Sequence, residues 1–382
     1  MKNLSTTFLI LFPMVLVAQL EIGHLSNTFV DASRNNRDIG CEIYYPATAE
    51  GDNTAAADGQ FPVIVFGHGF VMGYEAYENL WTDLVPEGYV MAFVTTEGGF
   101  APDHQDYGLD LSFVSAQIGA LAGNQSSPLF EHLTDRRAIA GHSMGGGATW
   151  LSAASNETID CIIGLAPAET NPSAIAAGGS VNVPVLVLSG NADGVTPPAD
   201  HHIPIYEGSA SACKVFVNIL EGSHCYFANS GSLCDFGEFN PGNLSREEQQ
   251  EITRVLMLNW CDYFLKSDAA AIGDFVTYYE GNTNLEVTST CVFSSVDERN
   301  QAVYLVYPNP LVDSFVVELR SFSSPSDLIL RDELGRSIPF TMESKEEVPG
   351  GRKYLIQTGS ISRGVYFLSA PKERWSVRLV KD

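Results

Sequence analysis

Arg137-Ala138-Ile139-Ala140-Gly141-His142-Ser143-Met144-Gly145-Gly146-Gly147-Ala148-Thr149-Trp150-Leu151 runs from a short apolar, strand-like segment through a glycine-bracketed serine into a helix-like segment. A serine held at the tip of a strand-to-helix turn leaves no room for side chains on either side, so glycine is required at 141 and 145. In a chain with 34 glycines the Gly-x-Ser-x-Gly spacing alone says little. The strand before it and the helix after it, Ala148 to Ala154, make it a nucleophile elbow with Ser143 as the expected nucleophile.

The 382 residues exceed what one core usually holds, so two domains are expected. Lys2 followed by the apolar run Phe8 to Val17 and by Ala18 reads as an export signal over residues 1–19, too short to span a bilayer. The net charge is −25, yet residues 301–382 hold 11 Lys+Arg against 10 Asp+Glu, so the acidity belongs to the first part. Such a body repels phosphate backbones, which excludes nucleic acid as a partner and favours a neutral or apolar substrate. Export also puts the seven cysteines in an oxidising compartment, where disulfides are expected over metal ligation. Connectivity does not follow from sequence; Cys225 with Cys234 and Cys261 with Cys291 are the favoured pairs.

From residue 20 to 297 short apolar runs alternate with helical stretches. Phe61–Phe66, Tyr89–Val94, Ile162–Leu165 and Val183–Leu188 suit strands buried on both faces of a parallel sheet. Helices are expected over 77–86, 108–121 and 245–265, the last opened by a Ser245/Glu248 capping box. Together these predict an α/β-hydrolase fold, a mostly parallel sheet with helices on both faces. After a linker at 298–303, the strand-like runs at 315–319, 328–330, 353–356, 365–368 and 375–380 predict a small all-β sandwich over 304–382.

A serine hydroxyl needs a histidine to accept its proton, and that histidine needs a carboxylate to fix its tautomer. In this fold the acid and then the histidine follow the serine. Asp193, just beyond the apolar strand Val185–Leu188, is the expected acid; Asp200 lies deeper in the loop and Asp160 precedes its strand. Of the histidines after it, His224 follows a strand-like run and a small-residue turn, whereas His201 and His202 stand too close to Asp193. That pair lacks a third spaced ligand, so no metal is expected. His142 and His68 are expected to shape their loops. The oxyanion donors should be the backbone N–H groups of Met144 and of Phe70, in Gly67-His68-Gly69-Phe70. Phe70, Tyr74, Phe100, Met144, Val195, Tyr226 and Phe227 could line an acyl or aryl pocket.

Gly141 to Gly147, Gly67 to Phe70, Asn191 to Pro197 and Gly222 to His224 resemble bacterial cutinases and polyester hydrolases, including those acting on poly(ethylene terephthalate), over most of residues 40–265. The resemblance implies a secreted serine carboxylic ester hydrolase, acting on esters or polyesters through a Ser143, His224, Asp193 acyl-enzyme mechanism. It implies an oxyanion hole at Phe70 and Met144, acyl contacts from Phe70, Met144 and Val195, and no cofactor. The chain departs from that family at Ala166-Pro167-Ala168, where a Thr-Pro-Trp setting is usual, which weakens the case for an aromatic polyester. Chlorophyllase-like and platelet-activating-factor-acetylhydrolase-like esterases of small esters or lipids, a peptidase of the same fold and a non-catalytic adhesion module remain alternatives.

Tyr307-Pro308-Asn309-Pro310, Leu334-Gly335-Arg336 and Ser362 to Phe367 resemble the C-terminal sorting domain of the type IX secretion system of Bacteroidetes. That implies the secretion machinery as a partner and an extracellular or surface-attached protein; a monomer is expected. A carbohydrate-binding or adhesion sandwich is the rival reading.

Overall fold

The apolar runs around the elbow become neighbouring strands of one sheet. The computed structural model describes residues 20–156, 158–231, 233–292, 304–307, 314–320, 328–332, 336–348, 351–359, 361–370 and 375–381. The export signal at 1–19, the linker at 298–303, Pro308 to Pro310 and Leu334-Gly335 lie outside them. The chain divides into two compact units, Met1–Cys291 and Val292–Asp382.

In the first unit the strands are β1 (Glu21–Asp31), β2 (Arg37–Ala47), β3 (Gly51–Asp52), β4 (Phe61–Gly67), β5 (Val90–Val94), β6 (Leu133–His142), β7 (Cys161–Leu165), β8 (Val185–Gly190), β9 (Lys214–Ile219) and β10 (Leu285–Ser289). They form one sheet in the order β10-β9-β8-β7-β6-β4-β5-β2-β1-β3. From β5 to β9 the pairing is parallel, and β2 and β10 flank that block antiparallel. Every residue of β4, β5, β7 and β8 is buried, as a sheet covered on both faces demands.

The helices are α1 (Glu78–Leu84), α2 (His104–Gln117), α3 (Met144–Ala153), α4 (Ala174–Gly178), α5 (His202–Gly208), α6 (Arg246–Leu265) and α7 (Ala271–Gly281). Val63, Val65, Ile139, Ile162 and Val185 share a core with Tyr107 and Leu111 of α2 and Ala148 and Trp150 of α3. By the two-residue period of a strand, Ile64, Phe66, Ala138 and Ala140 face the other side. There Phe66 meets Tyr77, just before α1, and α6 packs on β6 and β7. The capping box of α6 is formed on both sides, and Ile252, Leu256 and Trp260 are buried at the expected spacing.

Sequence periodicity missed the long β1/β2 pair, α7 and β10. Its disulfide pairing needs a correction for the same reason. β10 returns antiparallel to β9, with Ser289 opposite Val215, which carries Cys291 to Cys213 rather than to Cys261. The bonds formed are Cys213–Cys291 and Cys225–Cys234, while Cys261 is a buried free thiol on α6. Among the described residues no helix is long and apolar enough to cross a membrane.

The second unit holds two antiparallel sheets. One contains β11 (Tyr304–Tyr307), β12 (Ser314–Arg320), β15 (Thr341–Val348) and β16 (Gly351–Gln357); the other contains β13 (Ile329–Asp332), β14 (Ser337–Ile338), β17 (Gly364–Ala370) and β18 (Trp375–Lys381). Phe315, Val317 and Ile356 from the first meet Leu330, Tyr366, Leu368 and Leu379 from the second in a single core, which makes the unit a sandwich.

Candidate active site

β6 ends at His142 and α3 begins at Met144, so Ser143 makes the whole turn at φ 55°, ψ −119°. This is left-handed backbone that a residue with a side chain adopts only when its surroundings hold it there. Those surroundings are specific. A Cβ at Gly141 would run into the Gly145 carbonyl, and one at Gly145 into the backbone of Gly67. The turn is pinned by Ser143 N–H donating to Leu165 O (2.9 Å) and by Ser143 O accepting from Ala168 N–H (2.8 Å). Ser143 therefore caps the N-terminus of α3, where the helix dipole favours developing negative charge.

Two loops at the same end of the sheet bring the expected acid and base together. Asp193, after β8, is buried; its Oδ1 accepts from the N–H groups of Val195 (2.9 Å) and Thr196 (2.7 Å), and its Oδ2 from His224 Nδ1 (2.7 Å). Burial alone would raise this carboxyl, but the hydrogen bond and the field of His224, with the Thr196 N–H, outweigh it and hold it below its ordinary value. His224, after β9, is fixed through its backbone. Its N–H donates to Glu238 Oε1 (2.5 Å) and that of Cys225 to Oε2 (2.8 Å), while Gln249 on α6 takes both backbone groups of Ser223 at 2.8 Å. Of the alternatives for the acid, Asp160 is engaged by Arg136 and by the Arg137 amide.

The loop after β4 carries Phe70. The two preceding amides are already taken: His68 N–H donates to Tyr107 Oη (2.6 Å) and Gly69 N–H to Tyr77 Oη (2.8 Å). Phe70 is the next N–H along the loop. His68 is buried with its ring nitrogens 2.9 Å from the carbonyls of Gly69 and Thr96, so it shapes this loop as expected.

Ser143 opens onto two adjoining hollows. One, of about 280 Å³, is lined by Phe70, Met72, Phe100, Val195, His224 and Leu233, with Cys234 at its edge. The other, of about 480 Å³, is lined by Phe70, Met144, Ala168, His104, Glu169 and Val195. Phe70, Met144 and Val195 thus border the serine. Three other expected pocket residues do not. Phe227 is wholly buried against His142, Tyr226 lies beneath Arg246, and Tyr74 packs with Tyr44 and Trp81. Leu233 and Met72 take part instead, brought in by loops whose course has no periodic signal.

His202 was set aside on sequence as too near Asp193, yet the structure turns it back onto the acid. One donor atom from each of Asp193, His202 and His224 lies within 4.8 Å of the others, a spacing that could suit a metal. The Thr196 hydroxyl stands among them, 3.0 Å from Asp193 Oδ2, 3.0 Å from His202 Nε2 and 2.8 Å from His224 Nδ1. These are hydrogen-bond distances, and with His224 Nδ1 2.7 Å from Asp193 Oδ2 they make the cluster a hydrogen-bonded network. His201, by contrast, accepts the Glu169 N–H at 2.9 Å and shapes the wall of the cleft. Thr196, Glu238 and Gln249 were not singled out from sequence; only Gln249 left a trace there, one turn before Thr253 on the buried face of α6.

The profile of the PET hydrolase-like (PETase) family matches residues 19–244, the span that holds Phe70, Ser143, Asp193 and His224. Bis(hydroxyethyl) terephthalate hydrolase of Streptomyces coelicolor is 28% identical over 187 residues, 48% of this chain and 55% of that protein. Cutinase 1 of Thermobifida cellulosilytica is 32% identical over 113 residues, 29% and 42% of the two chains. Cutinase est1 of Thermobifida alba is 25% identical over 188 residues, 48% and 57%. The chain spans about half the length of the curated relatives it matches.

Proposed function

This chain belongs to the PET hydrolase-like family, and from that premise we propose that it is an exported serine carboxylic ester hydrolase. Ser143 Oγ attacks the ester carbonyl while His224 Nε2 takes its proton, and Asp193 holds the Nδ1–H side of the ring. The tetrahedral oxyanion is met by the N–H groups of Phe70 and Met144. His224 then gives its proton to the departing alcohol, leaving an acyl group on Ser143. Water, deprotonated by His224, releases the acid. The observation that carries this reading is the buried His224–Asp193 contact of 2.7 Å opening onto the same cleft as a serine held at φ 55°.

The substrate side of the reading rests on the cleft. Its walls are mainly apolar, and its rim rings stand out into solvent, Phe70 at 49% and Phe100 at 83% exposure. This supports an apolar ester, extended enough to run along an open groove, as in a polyester. Residues 304–382 are proposed to address the protein to type IX secretion machinery, a reading supported by the sandwich and its Tyr307-to-Phe367 motifs.

Ser143→Ala is expected to abolish turnover of a short-chain aryl ester and labelling by a fluorophosphonate; full activity of that variant would sink the mechanism. Clearing of a polyester film supports the open-groove substrate, and turnover confined to soluble esters assigns the chain to the small-ester alternative. Secretion that survives deletion of 304–382 would reject the sorting role.

A further inference from the structure

His202 opens α5 with its ring wholly buried, and the reaction as written gives it nothing to do. Its Nδ1 lies 2.8 Å from Ser189 Oγ at the end of β8, and its Nε2 lies 3.0 Å from Thr196 Oγ1 and 3.5 Å from Asp193 Oδ2. The protons in this cluster can be assigned from what each group is able to do. A carboxylate only accepts, and a hydroxyl has one proton and two lone pairs. Of the two oxygen acceptors that Thr196 Oγ1 faces, Asp193 Oδ2 at 3.0 Å is nearer and charged, and the Ala166 carbonyl stands at 3.5 Å. Thr196 therefore donates to Asp193 Oδ2, which leaves its lone pairs for His202 Nε2–H and for the edge of His224 Nδ1–H. With Nε2 protonated, His202 Nδ1 accepts from the Ser189 hydroxyl. Every polar group in the chain Ser189–His202–Thr196–Asp193 is then satisfied.

We propose that Thr196 and His202 are positioning residues of the triad: together they place a second hydrogen bond on the carboxylate oxygen that holds His224, and so fix the plane of the carboxylate and the tilt of the imidazole. This rests on the reading of Ser143, His224 and Asp193 as a triad.

The arrangement suits the charge that develops in the reaction. As Ser143 is deprotonated His224 becomes an imidazolium, and a second positive ring beside Asp193 would oppose it. Burial pushes His202 down to about 3, so at neutral pH it supplies an N–H dipole without a charge. The remaining titratable groups around His224 are Asp193, His142, whose ring is 4.7 Å away, and Glu238 on its backbone. None of these supplies a donor to Asp193 Oδ2 other than His224 itself.

The test compares Thr196→Val, which keeps the shape and loses the hydroxyl, with Thr196→Ser, which keeps the hydroxyl. His202→Leu and the Thr196→Val/His202→Leu double variant complete the set. Rates on a soluble aryl ester are taken per active site titrated with a fluorophosphonate, so that unfolded protein does not count. Thr196→Val is expected to lower kcat about tenfold, the order of one hydrogen bond to a charged acceptor, with KM held within about twofold. Thr196→Ser should restore kcat, and the double variant should be no slower than Thr196→Val, because the two residues act through one chain. Equal kcat in the Val and Ser variants, losses that multiply in the double variant, or a loss carried by KM would each overturn the proposal. Ser143→Ala separates the two readings: turnover there defeats the triad itself, whereas a dead Ser143→Ala beside a fully active Thr196→Val defeats only the role of Thr196 and His202.

Discussion

The phenol oxygen of Tyr77 lies 2.9 Å from Nδ1 of His142, the residue immediately before the elbow serine. His142 Nε2 faces the His224 carbonyl at 3.1 Å, so Nε2 carries the proton and Nδ1 accepts from Tyr77. Tyr77 in turn accepts the Gly69 N–H at 2.8 Å. A single buried relay thus ties the Phe70 loop, the elbow and the His224 loop together.

Tyr77→Phe should break that relay at its centre, leaving the Gly69 N–H and His142 Nδ1 buried without their partner. A loss of about 2 kcal/mol in stability is expected from unsatisfied buried groups, together with a fall in kcat as the loop that carries Phe70 loses its anchor at Gly69. Urea denaturation and initial rates check the two parts. Wild-type values in both would mean that the relay holds nothing in place.

The buried histidines set an acid limit on stability. His202 is lowered to about 3 by burial, and His142 is held well below its ordinary 6.5 by burial and then by the field of His224. As pH falls below 6.5 the unfolded chain takes up these protons and the folded one does not. Stability is therefore full above that value and declines toward about 3, by up to roughly 1.4 kcal/mol per pH unit for each histidine. Asp193, lowered from 3.8, adds a loss of the same sign at the acid end. Unfolding free energies measured across this window should fall with acidification, and His202→Gln should flatten the slope. Stability rising on acidification would contradict the burial of neutral rings.

The two disulfides should separate stability from catalysis. Cys213–Cys291 closes 78 residues and Cys225–Cys234 only 9, so chain entropy gives about 4.5 kcal/mol for removing the first and about 2.6 for the second. The shorter loop, however, follows His224 directly and lines the cleft at Cys234. Replacing both its cysteines by serine is expected to raise KM and lower kcat, whereas Cys213→Ser/Cys291→Ser should mainly lower the melting temperature. Equal kinetic effects of the two pairs would refute the distinction.

Ala168 stands in the cleft wall beside Met144 and Val195. Ala168→Trp is expected to lower KM for an aromatic ester about fivefold, the scale of one aromatic pair contact, and to leave a short aliphatic ester little changed. A matching gain on both substrates would mean that the ring acts by general burial.

The elbow was legible in the sequence because its requirement is local: a serine between two backbones that nearly touch needs glycine at 141 and 145, whatever surrounds it. The four apolar runs were equally plain, since burial on both faces leaves an unbroken hydrophobic signature. The capping box of α6 could be read from Ser245 and Glu248 alone. β10 could not. Leu285–Ser289 is a half-exposed edge strand, and without it the partner of Cys291 was misassigned to Cys261.

The sequence by itself determined the α/β class and the strand-to-helix turn at Ser143. Each of these is written in residues a few positions apart, where chain geometry and period leave little choice. The tertiary structure alone decided that His202 turns back onto Asp193, that the Thr196 hydroxyl stands between Asp193, His202 and His224, and that Glu238 clamps the backbone of His224. Those contacts join loops at the ends of different strands. Their meeting depends on strand order and on the course of irregular segments, which no local pattern encodes.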